Sequence, residues 1–339
     1  MKQRFEKSKL PMASDSPLRV ALFGECMIEL QGQAFGPMSQ GFGGDTLNTA
    51  VYLSRCTRGQ PVSVHYATAL GDDNLSAGMM QRWAAEGIAL DLVRRLPGRM
   101  PGLYLIEVDG RGERHFSYWR DAAAARAYFD TDAASAPTPL EAHPLPCDWL
   151  YCSGISLAIL PPAGRARLFA LVDRLRAAGG RVVFDNNHRP RLWPDAAVAR
   201  DAYEQAFARA DIALITLDDH QAWLGRSQAD GRPVAADLAL AHAAALPVPE
   251  LVVKRGAEAT LWRQAGSDWH NVATEAVAQV VDTTAAGDSF AAGYLARRLA
   301  GDGPAEAAAF GNRLAARVIQ HRGAVIPAEA MADLLPPSP

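Results

Sequence analysis

Long apolar runs are missing from this 339-residue chain. No stretch approaches the ~18 consecutive apolar residues that a membrane helix needs. The first residues, Met1 to Pro17, are polar and lack the apolar centre of a secretory signal. They are expected to form a flexible tail, Met12 is an alternative start, and the chain is expected to be cytoplasmic. Cysteine is scarce: Cys26, Cys56, Cys147 and Cys152 are scattered and make no C-x-x-C pair. They read as buried thiols in a reducing compartment. An excess of positive charge is absent too. The net charge of −3 gives no footprint for nucleic acid. Nor is there a Walker A sequence, which argues against a P-loop nucleotide fold.

What is present is apolar residue in plenty, 49% of the chain, enough for a real core. Leu18–Glu25 is a mostly apolar run ending near Gly24, the profile of a strand buried on both faces of a parallel sheet. Similar runs recur at Ser63–Thr68, Trp149–Ser153, Arg181–Asp185, Ile212–Thr216 and Glu250–Lys254. Helical stretches lie between them, at Thr46–Arg58, Ser76–Glu86, Ala163–Ala178, Ala197–Arg209 and Ala235–Ala244. That alternation implies βαβ units and an α/β, doubly wound, mostly parallel sheet with helices on both faces. Two segments break the rhythm, about 31–42 and about 90–120. In the second, Asp109-Gly110 separates Tyr104–Val108 from His115–Tyr118, a strong hairpin signal. These segments are expected to build a small separate β-sheet. The main domain is placed at 18–330, with a C-terminal tail over 331–339.

The run Asp282-Thr283-Thr284-Ala285-Ala286-Gly287-Asp288-Ser289-Phe290 carries the most chemistry. Small residues before a helix leave backbone N–H groups free, and the helix dipole favours an anion at the same spot. From spacing alone, Asp288 is either an N-cap or a general base for a hydroxyl that attacks phosphate. Gly41–Ala50 likewise sets a Gly43-Gly44 turn before a helix that bears Asp45 and Asn48. Asp185–Trp193 follows a buried strand, so Arg189 stands at the sheet edge where ligands bind in open α/β folds. An arginine there suits an anionic substrate.

The run from Asp282 resembles the C-terminal signature D-T-x-G-A-G-D of the PfkB (ribokinase-like) carbohydrate kinases. Ala285 stands in place of the first glycine of its G-A-G-D part, so the loop is expected to fit without a left-handed residue there. The likeness extends over about 18–327. Gly24–Leu30, Pro101–Tyr104, Tyr118-Trp119-Arg120, Cys152–Ala158 and the Asp185–Trp193 loop resemble the branch that phosphorylates 2-keto-3-deoxygluconate. The resemblance implies a ribokinase-like fold whose small sheet is a lid, and an ATP- and Mg2+-dependent kinase of that sugar acid. Asp288 would be the base, and the backbone N–H groups of Ala285, Ala286 and Gly287 the anion hole. Gly44, Asp45, Asn48, Tyr104, Tyr118, Arg120 and Arg189 would bind the sugar acid, with Arg189 on its carboxylate. Lys254, Gly256, Gly287 and Asn312 would line the nucleotide site, and the Gly323-Ala324 turn would border a monovalent cation such as K+. The N-x-x-E motif of many relatives is missing from Ile215–His220, where Asp218, Asp219 or His220 could replace its acid near the metal. A homo-oligomer, dimer or higher, is expected through the lid. The alternatives are a fructokinase, a kinase of the galactonate-series epimer, or a non-catalytic sugar-acid sensor.

Overall fold

The computed structural model describes residues 16–108, 114–131, 136–225 and 233–335. The Asp109-Gly110 turn and most of the expected N-terminal tail lie outside them. From the N-terminus, β1 (Leu18–Phe23) enters the core, and β2 (Met27–Gly32) and β3 (Met38–Gly43) leave it again before α1 (Asp45–Cys56). Next come β4 (Val62–Leu70), α2 (Asn74–Ala85), β5 (Val93–Arg95), β6 (Leu103–Val108) and β7 (Arg114–Trp119). The middle of the chain alternates: β8 (Trp149–Ser153), α3 (Gly154–Ile159), α4 (Pro162–Ala177), β9 (Arg181–Asp185), α5 (Ala196–Phe207) and β10 (Ile212–Thr216). It continues with α6 (Leu217–Leu224), α7 (Ala236–Ala244), β11 (Glu250–Arg255), β12 (Glu258–Gln264) and β13 (His270–Val272). Helices α8 (Ala286–Leu299) and α9 (Pro304–Val318) close the fold.

Nine strands form one sheet in the order β13-β12-β11-β10-β9-β8-β1-β4-β5. All neighbours from β11 to β5 are parallel, and β12 and β13 add an antiparallel edge. The alternation of β1 divides the core: Ala21 and Phe23 pack with α3 to α7, whereas Val20 and Leu22 pack with α1, α2, α8 and α9. Helix starts are fixed by local chemistry. Asp73 accepts from Ser76 N (2.9 Å) ahead of α2, and Asp195 from Val198 N (2.8 Å) ahead of α5. Helices α8 and α9 cross at two glycines; a Cβ on Gly293 would lie 3.1 Å from Gly311 Cα.

The second sheet is the expected lid, in the order β3-β2-β6-β7. It differs from the expected segments in two ways. It begins at Met27 rather than near residue 31, and Val93–Arg95 pairs parallel with Thr68–Leu70 at the edge of the main sheet. That short strand is tied to β4 by its backbone pairing and joins the main sheet instead. The C-terminal segment is not wholly a tail. A 3-10 turn over Ala328–Leu334 buries Met331 completely against the α1/α9 core. All four cysteines are buried free thiols. No described helix is long and apolar enough to cross a membrane.

Candidate active site

A parallel sheet exposes strand ends and helix N-termini along one edge, and here that edge opens into a cleft of about 570 Å3 roofed by the lid. Glycine frames its floor. A Cβ on Gly44 would strike the Glu25 carbonyl at 2.1 Å, so α1 can start this close to the β1–β2 crossing only without a side chain. Asp45 and Asn48, one turn apart on α1, then share the face turned to the cleft. Opposite them stands the N-terminus of α8, with Asp288 in its first turn.

Six carboxyl side chains and one ammonium line this space. Asp288 Oδ2 accepts from Asn48 Nδ2 (2.8 Å). Asp45 Oδ2 accepts from Ser153 Oγ (2.5 Å) and Asn187 Nδ2 (2.7 Å). Lys254 Nζ, buried at the end of β11, donates to Asp185 Oδ2 (2.8 Å). Arg189 Nη1 reaches both oxygens of Asp219 at 3.2 and 3.3 Å, while its side chain stays half exposed to the cleft. Burial above all, then the neighbouring Asp45 and Asp185 charges, push the Asp288 carboxyl up to about 7, against the pull of Asn48 and Lys254. Burial likewise raises Asp45, although Ser153 and Asn187 bond to its ionised form. A carboxyl poised near neutrality can take a proton at working pH and release it again.

The loop ahead of α8 is held by several hydrogen bonds. Asp282 braces it, its Oδ1 accepting from Thr284 N (3.0 Å) and Thr284 Oγ1 (2.7 Å) and its Oδ2 from Gly323 N (3.0 Å). Contrary to expectation, Ala285 is left-handed, with φ 60 and ψ 15. The alanine does not remove the turn; hydrogen bonds hold the loop on both sides, from Ala286 N to Thr283 O, from Ser289 N to Ala285 O and through Asp282, and the extra methyl is strained. Ala286 N is engaged by Thr283 O (3.2 Å), so not all three of the N–H groups expected to face an anion are free. The N–H of Gly287 belongs to the first helical turn, which has no intrahelical acceptor for it. Lys254 Nζ would lie 3.4 Å from a Cβ on Gly287 and faces the same spot. Beyond it, Gly256 turns at φ +63 and Asn312 is fixed by Thr260 Oγ1 (2.8 Å) and the Ala273 carbonyl (3.0 Å).

Of the residues singled out from the sequence, Gly44, Asp45, Asn48, Tyr104, Tyr118, Arg189, Lys254, Gly256, Ala285, Ala286, Gly287, Asp288 and Asn312 all line this one cleft. Arg120 does not. Its guanidinium is buried against Glu25, a carboxylate at the lid's root that would otherwise be an unpaired buried charge. His220 is also absent from the cleft; it is fully buried and its Nε2 faces His242 Nδ1 at 3.2 Å. Asp218 and Asp219 do line it. Sequence reasoning missed Glu29, which accepts a hydrogen bond from Tyr104, and the roles of Asp185, Asn187 and Ser153 as partners. The strand-end position of Asp185 and Asn187 was the available signal.

The sequence profile of the pfkB family carbohydrate kinases matches residues 18–331. The chain belongs to that family. Among curated relatives, the 2-dehydro-3-deoxygluconokinase of Dickeya dadantii (strain 3937) is 48% identical over 314 residues, 92% of this chain and 98% of the relative. A fructokinase of Escherichia coli is 29% identical over 283 residues, 82% of this chain and 83% of the relative. The crystal structure of aminoimidazole riboside kinase from Salmonella enterica, complexed with aminoimidazole riboside and an ATP analogue, superposes with a TM-score of 0.76. That likeness covers 93% of this chain and 99% of the other at 21% identity, and concerns the fold. In this carbohydrate kinase the cleft between lid and sheet edge is therefore the place to look for phosphoryl transfer.

Proposed function

We propose that the protein is an ATP-dependent 2-dehydro-3-deoxygluconokinase, transferring phosphate to the terminal primary hydroxyl of 2-keto-3-deoxy-D-gluconate. The observation that carries this reading is Arg189: a half-exposed guanidinium on the wall of a cleft that also holds the family's aspartate. A neutral sugar offers that charge nothing to bind, whereas a carboxylate can take two hydrogen bonds from it. The 48% identity to a kinase of this acid, against 29% to a fructokinase, points the same way. A sensor has no use for a carboxyl held near neutrality beside an anion loop.

The chain's residues divide the work by position. Arg189 orients the acid end of the substrate. Tyr104 and Tyr118, whose rings lie 6.1 Å apart on the lid, cover the sugar, and Asp45 and Asn48 bond its hydroxyls from below. Asp288 accepts the proton of the attacking hydroxyl at Oδ2, the oxygen now bonded to Asn48. The Gly287 N–H and Lys254 Nζ face the transferring phosphate, where charge develops. Gly256 and Asn312 shape the nucleotide end.

No group of three or more His, Cys, Asp or Glu side chains surrounds a metal position among the described residues. That fits Mg2+, which keeps several waters and binds through one or two carboxylates plus nucleotide phosphates. Asp218 and Asp219 both line the cleft, and either would stand in place of the missing N-x-x-E acid. Mg2+ would supply charge neutralisation across the β- and γ-phosphates. A monovalent cation at the Gly323-Ala324 turn, tied to the anion loop by Asp282, belongs to the same reading. So does a cytoplasmic, reducing setting, given four free thiols. Trp119 and Met38, exposed on the lid, support a homo-oligomer formed there.

The test is a coupled ADP-release assay with Mg2+-ATP against 2-keto-3-deoxygluconate, its galactonate-series epimer, fructose and ribose. Turnover of the keto-deoxy acids well above the neutral sugars is expected. Preference for fructose or ribose would refute the role of Arg189, and ligand binding without turnover would favour the sensor.

A further inference from the structure

The lid joins the body where four stretches of chain pass close together. These are Gly24–Cys26 after β1, Gly43-Gly44 before α1, the segment through Gly102 before β6, and Arg120 after β7. Glu25 lies among all of them. Its backbone carbonyl is the atom that a Cβ on Gly44 would strike. A Cβ on Gly102 would lie 2.8 Å from Glu25 Oε1 and 3.2 Å from Arg120 Cβ. Its Oε2 accepts from Arg120 Nη2. Both side chains are almost sealed from solvent, 1% and 9% exposed.

Strand alternation gives the lid its cleft face. Residues 27 and 29 on β2, 104 on β6 and 118 on β7 point to one face, with Glu29, Tyr104 and Tyr118 in one row. Met27, Glu29, Tyr104 and Tyr118 on that face line the cleft. Glu25 and Arg120 lie just beyond the ends of β2 and β7, below the tyrosines at the root of the lid. A buried ion pair is weak evidence for stability, and this one is incomplete: Glu25 Oε1 and Arg120 Nε have no hydrogen-bond partner. Its geometric effect is plainer, because it pins the end of β7 to the crossing between β1 and β2.

We propose that Glu25 is a positioning residue of the sugar site. It clamps Arg120 and so fixes where β6 and β7 carry Tyr104 and Tyr118 over the substrate. The inference rests on the sugar-acid kinase reading for its kinetic test, and a second readout is independent of substrate. In Glu25→Gln the charge is lost at nearly constant shape. KM for the sugar acid should rise about tenfold, with KM for ATP changed by less than about twofold. Glu25→Asp, which keeps the charge, should recover part of the loss, and Glu25→Gln with Arg120→Met should be less impaired than the two single changes combined. By hydrogen exchange, Glu25→Gln should speed exchange in Leu103–Val108 and Arg114–Trp119 and leave Ala286–Leu299 unchanged. Equal shifts in both KM values, no change in lid exchange, or a sugar-acid KM that falls would each overturn the proposal; the last would make Arg120 a direct ligand restrained by Glu25. If Glu25→Gln does not fold, Glu25→Asp carries the same two measurements. A wild-type enzyme inactive on sugar acids would refute the function proposed above and leave the exchange test standing.

Discussion

Replacing Asp288 by Asn should make the protein more stable and nearly inactive. The carboxyl sits at about 7, where an ordinary aspartate has 3.8. Because the folded pKa lies above the unfolded one, the ionised form is disfavoured by folding. The penalty is absent below the unfolded value, grows as pH rises between the two, and is complete above the folded value. Three units at 1.36 kcal/mol each set an upper bound of about 4 kcal/mol above pH 7. The cleft side of Asp288 is open to water, and screening reduces the expected figure to about 2 kcal/mol. For a chain of 339 residues, an unfolding entropy of about 2.1 cal/mol/K per residue converts this to roughly 3 °C in Tm.

An asparagine in this place would keep the shape and could still pair with Asn48, so the comparison isolates the charge. Scanning calorimetry of both proteins at pH 8 and pH 5.5 checks it. The Tm advantage of Asp288→Asn should be about half as large at pH 5.5, since part of the penalty has not yet developed there. In the ADP-release assay the same variant should lose ~100-fold or more in kcat with its sugar-acid affinity retained. A variant that melts at or below wild type at pH 8, or gains equally at both pH values, would refute the idea that this carboxylate is held at a disadvantage. Near-normal turnover would remove Asp288 as the base.

Arg189→Ala should raise KM for the sugar acid by ~10- to 100-fold, the worth of a charge-assisted pair, and leave KM for ATP unchanged; an equal effect on fructose would deny the carboxylate contact. Ala285→Gly should relieve a left-handed alanine, raising stability by about 1 kcal/mol in urea titrations without slowing catalysis, whereas a loss of stability would show that the methyl packs favourably. The pH profile of kcat/KM should fall below about pH 7 with a single protonation, and Asp45→Asn should move that inflection to lower pH by removing a like charge; an unmoved inflection would free Asp45 of that role.

Local chemistry was legible where one segment suffices to decide it. Trp149–Ser153, Arg181–Asp185 and Ile212–Thr216 form strands with the bounds expected from their sequence, because a strand covered on both faces reads as an unbroken apolar run. That Asp288, Asn48 and Arg189 line one cleft was legible because glycine turns and strand ends mark the sheet edge. What stayed hidden depends on partners far away in sequence. Nothing near Arg120 announces that Glu25 will take its guanidinium, and nothing near His220 announces His242. The left-handed Ala285 is a case of the surrounding hydrogen bonds overriding a local preference.

The convergence of Asp45, Asp185 and Asp288 explains why the site could be only half read. Each sits at a strand end or helix start for a local reason, and the parallel topology alone brings them to one cleft edge. Once there, each must be answered by a specific donor: Ser153 and Asn187 for Asp45, Lys254 for Asp185, Asn48 for Asp288. Asp288 has the poorest answer, one neutral amide and the pull of Lys254, which is bonded to Asp185, against burial and two like charges. A fully satisfied carboxylate would titrate far below neutrality and make a poor base. The shortage of donors around this one residue is therefore what supports its proposed part in proton transfer.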